Sequence, residues 1–201
     1  MMGKHDLTRA LQRRNGMTMI ELLVVVGILG VLAALAAPSL NQYIMAKRVE
    51  GVATELISDL RLARTDAIQQ NMPQIFQFNS STTMSCYTVY THETATGDCD
   101  CAGGVGSACS GDPGTTPPLE LKTVTLPTAN GIKVTPSATS VRYSAATQML
   151  TDSSFTIDVE PTTTNGAGGA LRIILNITGR PQLCAVSGHP GYQRCPVPAA
   201  S

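Results

Sequence analysis

The chain has no tryptophan, only three phenylalanines and five tyrosines in 201 residues, and charged side chains make up just 14% of it. Tyr192 is the lone aromatic in the last 41 residues, too little there for a base-stacking platform for single-stranded nucleic acid. A formal net charge of zero excludes a bulk polyanion binder. No Cys-x-x-Cys pair occurs and His92 and His189 sit in no ligand spacing, so the close Cys99-Asp-Cys101 triplet is a poor basis for a metal site. His5, His92 and His189 belong to no recognisable nucleophile motif. The glycine-rich "AGGVGSACSG" lacks the Lys-Ser/Thr of a phosphate-cradling loop. No internal repeat is evident. A membrane-anchored periplasmic enzyme is therefore the least supported function class, and no catalytic residue, cofactor or metal is expected.

Acids are also missing from the last 41 residues, which hold Arg172, Arg180 and Arg194. The first sixteen residues carry Lys4, Arg9, Arg13 and Arg14 against Asp6 alone. They lead into a run of 21 residues, Met17 to Ala37, in which only Thr18 and Glu21 are polar. That is too long for the apolar part of a cleavable secretory signal and long enough to span a bilayer. The basic residues ahead of it place the leader in the cytoplasm and the rest of the chain outside, a single pass through the inner membrane with a periplasmic C-terminal domain. A carboxylate in hydrocarbon costs about 2.5–3.5 kcal/mol even on the lenient insertion scale, so Glu21 requires a partner. The alternative is that it snorkels to the headgroups.

All six cysteines, Cys86, Cys99, Cys101, Cys109, Cys184 and Cys195, lie beyond the apolar run. An even number in the translocated part fits disulfides in an oxidising compartment. Cys184 and Cys195 are expected to pair, because the Pro- and Gly-rich "SGHPGYQR" between them can turn back. Among the other four, three pairings remain open.

After Pro38, Val49, Val52, Ala53, Leu56, Leu60, Ala63 and Ala67 recur at helical spacing, with Lys47, Arg48, Glu50, Glu55, Asp59, Arg61 and Asp66 on other faces. Asn71-Met-Pro73 supplies a stop. One helix from Met17 to about Asn71 would be roughly 80 Å long, kinked near Pro38 where a backbone donor is missing. Beyond it the period changes. "QIFQFN", "SCYTVY", "LELKTVTL", "IKVT", "SFTIDVE" and "ALRIILNI" are β-rich, and a Gly- and Cys-rich surface loop lies between His92 and Pro118. The expected fold is α+β: a long N-terminal helix, half transmembrane and half amphipathic, packed on an antiparallel sheet. The chain divides into a leader over 1–16, a transmembrane segment over 17–37, an amphipathic helix over 38–72 and a periplasmic β-rich head over 73–201.

The stretch "NGMTMIELLVVVGILGVLAALAAP" resembles the class III signal of type IV pilins and pseudopilins, with Gly16, Glu21 and Pro38 at that family's positions. The resemblance implies that a prepilin peptidase cuts between Gly16 and Met17 and methylates the new amine, after which the helix waits in the membrane for assembly. The family's usual first residue is Phe, here replaced by Met17. Glu21 then acquires a partner: the Met17 ammonium of a neighbouring subunit, buried with it in a core of packed helices.

The helix text "GVATELISDLRLARTDAIQQNMP" is similar to the FimT/GspH family of minor pilins and type II secretion pseudopilins, its pattern filled by Glu55, Leu56, Asp59, Leu60, Ala63, Arg64, Ala67, Ile68, Asn71 and Pro73. "NITGRPQLC" is similar to that family's late strand and Gly-Arg turn. FimT-type members are implicated in DNA uptake through a Gly-Arg-x-Arg element, of which Gly179 and Arg180 are present while Gln182 replaces the second arginine. Arg194, folded back by a Cys184–Cys195 bridge, and Arg172 would add cations, giving weak, sequence-independent and salt-sensitive contact with DNA. The alternative is that these arginines only solvate a β-edge. The leading expectation is a FimT-like minor pilin that primes or decorates a type IV pilus and touches DNA. The second is a GspH-like minor pseudopilin of type II secretion. The expected partners are prepilin peptidase, other pilins or pseudopilins, the inner membrane and, in the first case, DNA.

Overall fold

The computed structural model describes residues 17–92, 99–109, 118–147, 150, 154–162 and 168–196; the expected leader with Gly16, and 93–98 and 110–117 of the expected loop, lie outside them. One helix, α1 (Met19–Gln70), opens the described chain and runs across Pro38 as a single element. Its boundaries follow from its ends. Thr18 caps the start, and Asn71, at φ 51°, takes the left-handed conformation that closes a helix before Pro73. The chain divides into two compact units at Leu40 and Asn41.

In the first unit, apolar side chains from Met19 to Leu35 are exposed, and an 18-residue window of the helix reaches a mean hydropathy of 2.7. By length and composition this stretch can cross a membrane. It has no protein core of its own to enter.

In the second unit, α1 buries Val49, Ala53, Leu56, Ile57, Leu60, Ala63 and Ala67. The spacing alternates between three and four, apart from the adjacent Leu56 and Ile57, so these residues share one stripe. Fully burying Leu56 and Leu60 stabilises the unit by about 1.5–3 kcal/mol each. Val52, expected in the stripe, is only partly buried at its edge.

Eight strands follow: β1 (Gln74–Ser80), β2 (Met84–Thr91), β3 (Leu119–Pro127), β4 (Ile132–Pro136), β5 (Ser140–Tyr143), β6 (Ser154–Pro161), β7 (Ala170–Asn176) and β8 (Pro181–Ser187). They form two antiparallel sheets, β3-β2-β1-β5 and β4-β6-β7-β8, where the sequence suggested one. The period-2 alternation sends Phe76, Phe78, Tyr87, Val141 and Tyr143 of one sheet, and Phe155, Ile157, Val159, Leu171, Ile173 and Leu175 of the other, into the same core as the α1 stripe. The α+β class holds, with strands segregated after the helix. On the outer face of the first sheet, Ile75, Tyr90 and Cys99 make a small second cluster.

Candidate functional site

Three places carry the residues singled out in the sequence. The first is the start of α1. Thr18 Oγ1 accepts the Glu21 amide at 3.3 Å, and the Leu22 amide donates to the Thr18 carbonyl at 3.2 Å. Thr-x-x-Glu is the spacing of a capping box, so Glu21 also serves the helix locally, as an acid in the first turn facing the positive end of the helix dipole. Met17 is exposed just before the cap.

The second is the β7–β8 turn. Asn176 organises it: its carbonyl accepts the Gly179 amide at 2.8 Å, and its side-chain oxygen accepts the Thr178 hydroxyl at 2.6 Å and the Arg180 amide at 3.4 Å. Gly179 has φ +69°, and a Cβ there would meet the Tyr143 ring at 2.6 Å, so only glycine fits. The buried Tyr143 hydroxyl donates to the Gly179 carbonyl at 3.2 Å. Burial pushes the Tyr143 phenol above its ordinary pKa, opposed by the charge of Arg64. Arg64 reaches the turn from α1, its Cδ 3.6 Å from the position of a Gly179 Cβ. Arg61, Arg64 and Arg180 line one cavity of about 440 Å³ together with Thr65, Pro181 and Gln182. Sequence reasoning missed Arg61 and Arg64 as companions of Arg180. The available signal was their i, i+3 spacing on either side of the core position Ala63.

Arg172 and Arg194 are placed differently from expectation. Arg172 lies directly opposite Asp158 on β6 and grips it with a two-pronged contact, Nε to Oδ1 at 2.6 Å and NH2 to Oδ2 at 2.7 Å. Its fork is occupied, so it is not an additional free cation. Arg194 bridges to Ala185, four residues along β8 from Pro181, about 14 Å from the turn at roughly 3.4 Å per residue. The tail does fold back, but to the far part of β8 rather than to Arg180.

The third place is the cysteine framework. Cys184 is bonded to Cys195, Cys86 to Cys101, and Cys99 to Cys109. All six sulfurs are thereby used, which leaves no thiolate for a metal. The tail loop between Cys184 and Cys195 docks on α1. His189 is buried there with Nε2 3.1 Å from the Ala46 carbonyl, and the Tyr192 hydroxyl donates to Glu50 at 3.0 Å.

Residues 52–179 match the family model for type II transport protein GspH, and residues 11–37 match the prokaryotic N-terminal methylation motif. No curated protein matches the chain. Among solved structures, the minor pseudopilin EpsH from the type 2 secretion system of Vibrio cholerae is similar at 16% identity with a TM-score of 0.44, over 70% of this chain and 98% of that one. The GspH match starts on the packing face of α1, takes in seven of the eight strands and ends at the glycine of the β7–β8 turn. On that extent, more than half of its length, the chain belongs to the GspH family of type IV pilin-like minor subunits.

Proposed function

We propose that this protein is a minor pseudopilin of a type II secretion filament. The observation that carries the reading is the family model over residues 52–179, which is that of a type II transport protein, preceded by a methylation-type N-terminus. In this reading a prepilin peptidase cuts after Gly16, and the apolar part of α1 holds the chain in the inner membrane. The basic leader keeps that end cytoplasmic, so the disulfide-bonded head lies in the periplasm. On assembly the Met17 ammonium of one subunit neutralises Glu21 of its neighbour, a pairing that matters because either charge alone would be stranded in low dielectric.

A type IV pilus component that touches DNA is the second reading. What favours it is that Arg180 enters no ion pair among the described residues and stands beside two further arginines. Site-directed cross-linking through the apolar segment separates the two. The full chain, co-expressed with prepilin peptidase and with either a pseudopilin set or a type IV pilin set, is expected to lose residues 1–16 by intact mass and to cross-link to pseudopilins. Cross-links confined to the pilin set would overturn the secretion reading. An uncut chain would overturn both.

A further inference from the structure

Between Glu21 and Lys47 lie 25 residues without a charged side chain, and charge resumes with two adjacent cations, Lys47 and Arg48. The whole interval belongs to α1. At 1.5 Å of rise per residue, Leu22 to Leu40 accounts for roughly 29 Å of helix, close to the hydrocarbon thickness of about 30 Å. Each headgroup layer adds about 5–7 Å. No linker separates this stretch from the second unit, since Leu40 and Asn41 are consecutive residues of one helix. Packing of the second unit begins almost at once. Three turns collar Met45 and Ala46: a Cβ at Gly131 would meet Met45 Cε at 2.9 Å, a Cβ at Gly168 would meet the Ala46 nitrogen at 2.9 Å, and His189 Nε2 lies 3.1 Å from the Ala46 carbonyl. The collar therefore starts about 8 Å of helix past Leu40, at the outer limit of a headgroup layer.

Tyr43 occupies the short gap between Leu40 and the collar and is 60% exposed, with Lys47 Nζ 5.9 Å from the centre of its ring. A tyrosine ring beside a long cationic side chain is the composition of a membrane–water interface, where the ring sits at headgroup level and the cation reaches the polar layer. The charges are not balanced within the protein. Lys47 pairs with Glu50 at 2.7 Å, whereas Arg48 enters none of the ion pairs among the described residues and donates to the Asn130 carbonyl at a long 3.4 Å.

We propose that Tyr43, Lys47 and Arg48 form a surface for the headgroups of anionic phospholipids, with the Tyr43 ring at the level of the glycerol backbone and the two cations on lipid phosphates. The proposal rests on the membrane-anchored reading above. Charge selects the lipid class: one cation remains after Glu50 offsets the other, and it is complementary to a phosphate that no choline or ethanolamine already neutralises. Seating the collar on one face of the bilayer leaves Glu21 in the headgroup layer of the other. Its carboxylate is then hydrated until assembly withdraws the helix.

The test uses the full chain in vesicles of phosphatidylcholine and phosphatidylglycerol in equal parts. The chain has no tryptophan, so Leu32→Trp and Tyr43→Trp each carry a single fluorescent reporter, and tryptophan keeps the interfacial character of tyrosine. Bromine near the acyl-chain ends is expected to quench Leu32→Trp, and bromine near the glycerol to quench Tyr43→Trp. Carried on phosphatidylglycerol, bromine should quench Tyr43→Trp about fivefold more effectively than on phosphatidylcholine, the value of one cation at an anionic surface. Adding Lys47→Gln and Arg48→Gln should make the two lipids equal, and both residues are exposed, so folding is not threatened. Leu32→Trp untouched by bromine at any depth would overturn the membrane-anchored reading and this proposal with it. With Leu32→Trp quenched, a Tyr43→Trp emission insensitive to lipid bromine, equal quenching by the two lipids while Lys47 and Arg48 are present, or a preference that survives their loss would each overturn the proposal alone.

Discussion

The Tyr87 hydroxyl donates to Asp59 Oδ2 across 2.6 Å, and Lys122 Nζ approaches the same oxygen at 2.7 Å. A carboxylate on α1 is thus gripped by β2 and β3 together, with Glu55 a second partner of Lys122 at 3.1 Å. Burial pushes the Tyr87 phenol up, and its hydrogen bond to Asp59 pushes the same way. For Lys122, burial opposes the charge, but hydrogen bonds to Asp59 and Glu55 outweigh it and leave its pKa above the ordinary lysine value. Tyr87→Phe removes one of these contacts and should cost about 1 kcal/mol, while Lys122→Met leaves a largely buried Asp59 without its cation and should cost about 1–3 kcal/mol. Denaturant titration of the full chain in detergent checks both, and equal small losses would show that the Lys122 contact is a surface pair of little weight.

Two glycines offer a controlled comparison. Gly179→Ala places a methyl group against the Tyr143 ring in a left-handed conformation, for which a loss of about 2–4 kcal/mol is expected. Gly188 also has positive φ, +47°, but nothing lies within 4 Å of an added Cβ, so Gly188→Ala should cost only the conformational part, about 1 kcal/mol. Melting temperatures of the two variants should separate accordingly.

Peptide mapping of the oxidised chain should return Cys86–Cys101, Cys99–Cys109 and Cys184–Cys195. Replacing both Cys184 and Cys195 by Ser should cost about 3 kcal/mol, the loop-closure value for a short ring. The tail would then hold to α1 only through contacts such as His189 with Ala46 and Tyr192 with Glu50. Protease cleavage in "SGHPGYQR" is expected to accelerate in that variant.

Acid should loosen the cysteine loop. The Thr123 hydroxyl, with the amides of Gly106 and Ala108, holds Glu120 below the usual carboxylate range, and the Ala102 amide with Asn79 does the same for Asp100. A carboxyl whose folded pKa lies below its unfolded one contributes stability that is fully present above the unfolded value, near 4, and lost as pH falls through the folded value. The Gly106 and Ala108 amide signals should therefore titrate together below about pH 4, and Glu120→Gln should remove that titration.

For Glu21, two substitutions divide its two tasks. Glu21→Val and Glu21→Gln both remove the charge that would neutralise Met17 and both keep the backbone amide that donates to Thr18 Oγ1, but only glutamine retains a side chain of the capping-box type at this position. If ion pairing in the filament is its role, both variants are cut and inserted yet fail to cross-link to neighbouring subunits, since an unpaired buried ammonium costs several kcal/mol. Wild-type assembly by Glu21→Gln would make capping the reason for its presence.

Residue order alone determines the features that depend on neighbours along the chain. The span from Met17 to Ala37, the α1 stripe from Val49 to Ala67 and the end of the helix at Asn71-Met-Pro73 are all matters of local periodicity and backbone chemistry, as are the six β-rich runs that became β1 to β4, β6 and β7. The short "SVRY" of β5 is not among those runs, and its pairing with β1 is what makes it a strand. The closeness of Cys184 and Cys195 along the chain makes their pairing legible. The other four cysteines lie within 24 residues of one another, where spacing allows several closures, and pairing is decided by where β2 and the turn at Cys101 meet. Arginine roles divide in the same way. Only the β6–β7 register places Asp158 opposite Arg172 and occupies it, and only the packing of α1 against the β7–β8 turn brings Arg61 and Arg64 to Arg180 across more than a hundred residues of chain. Such contacts arise when nonlocal apolar faces are buried together, so the charges they carry with them are set by tertiary packing and leave no local trace in the sequence.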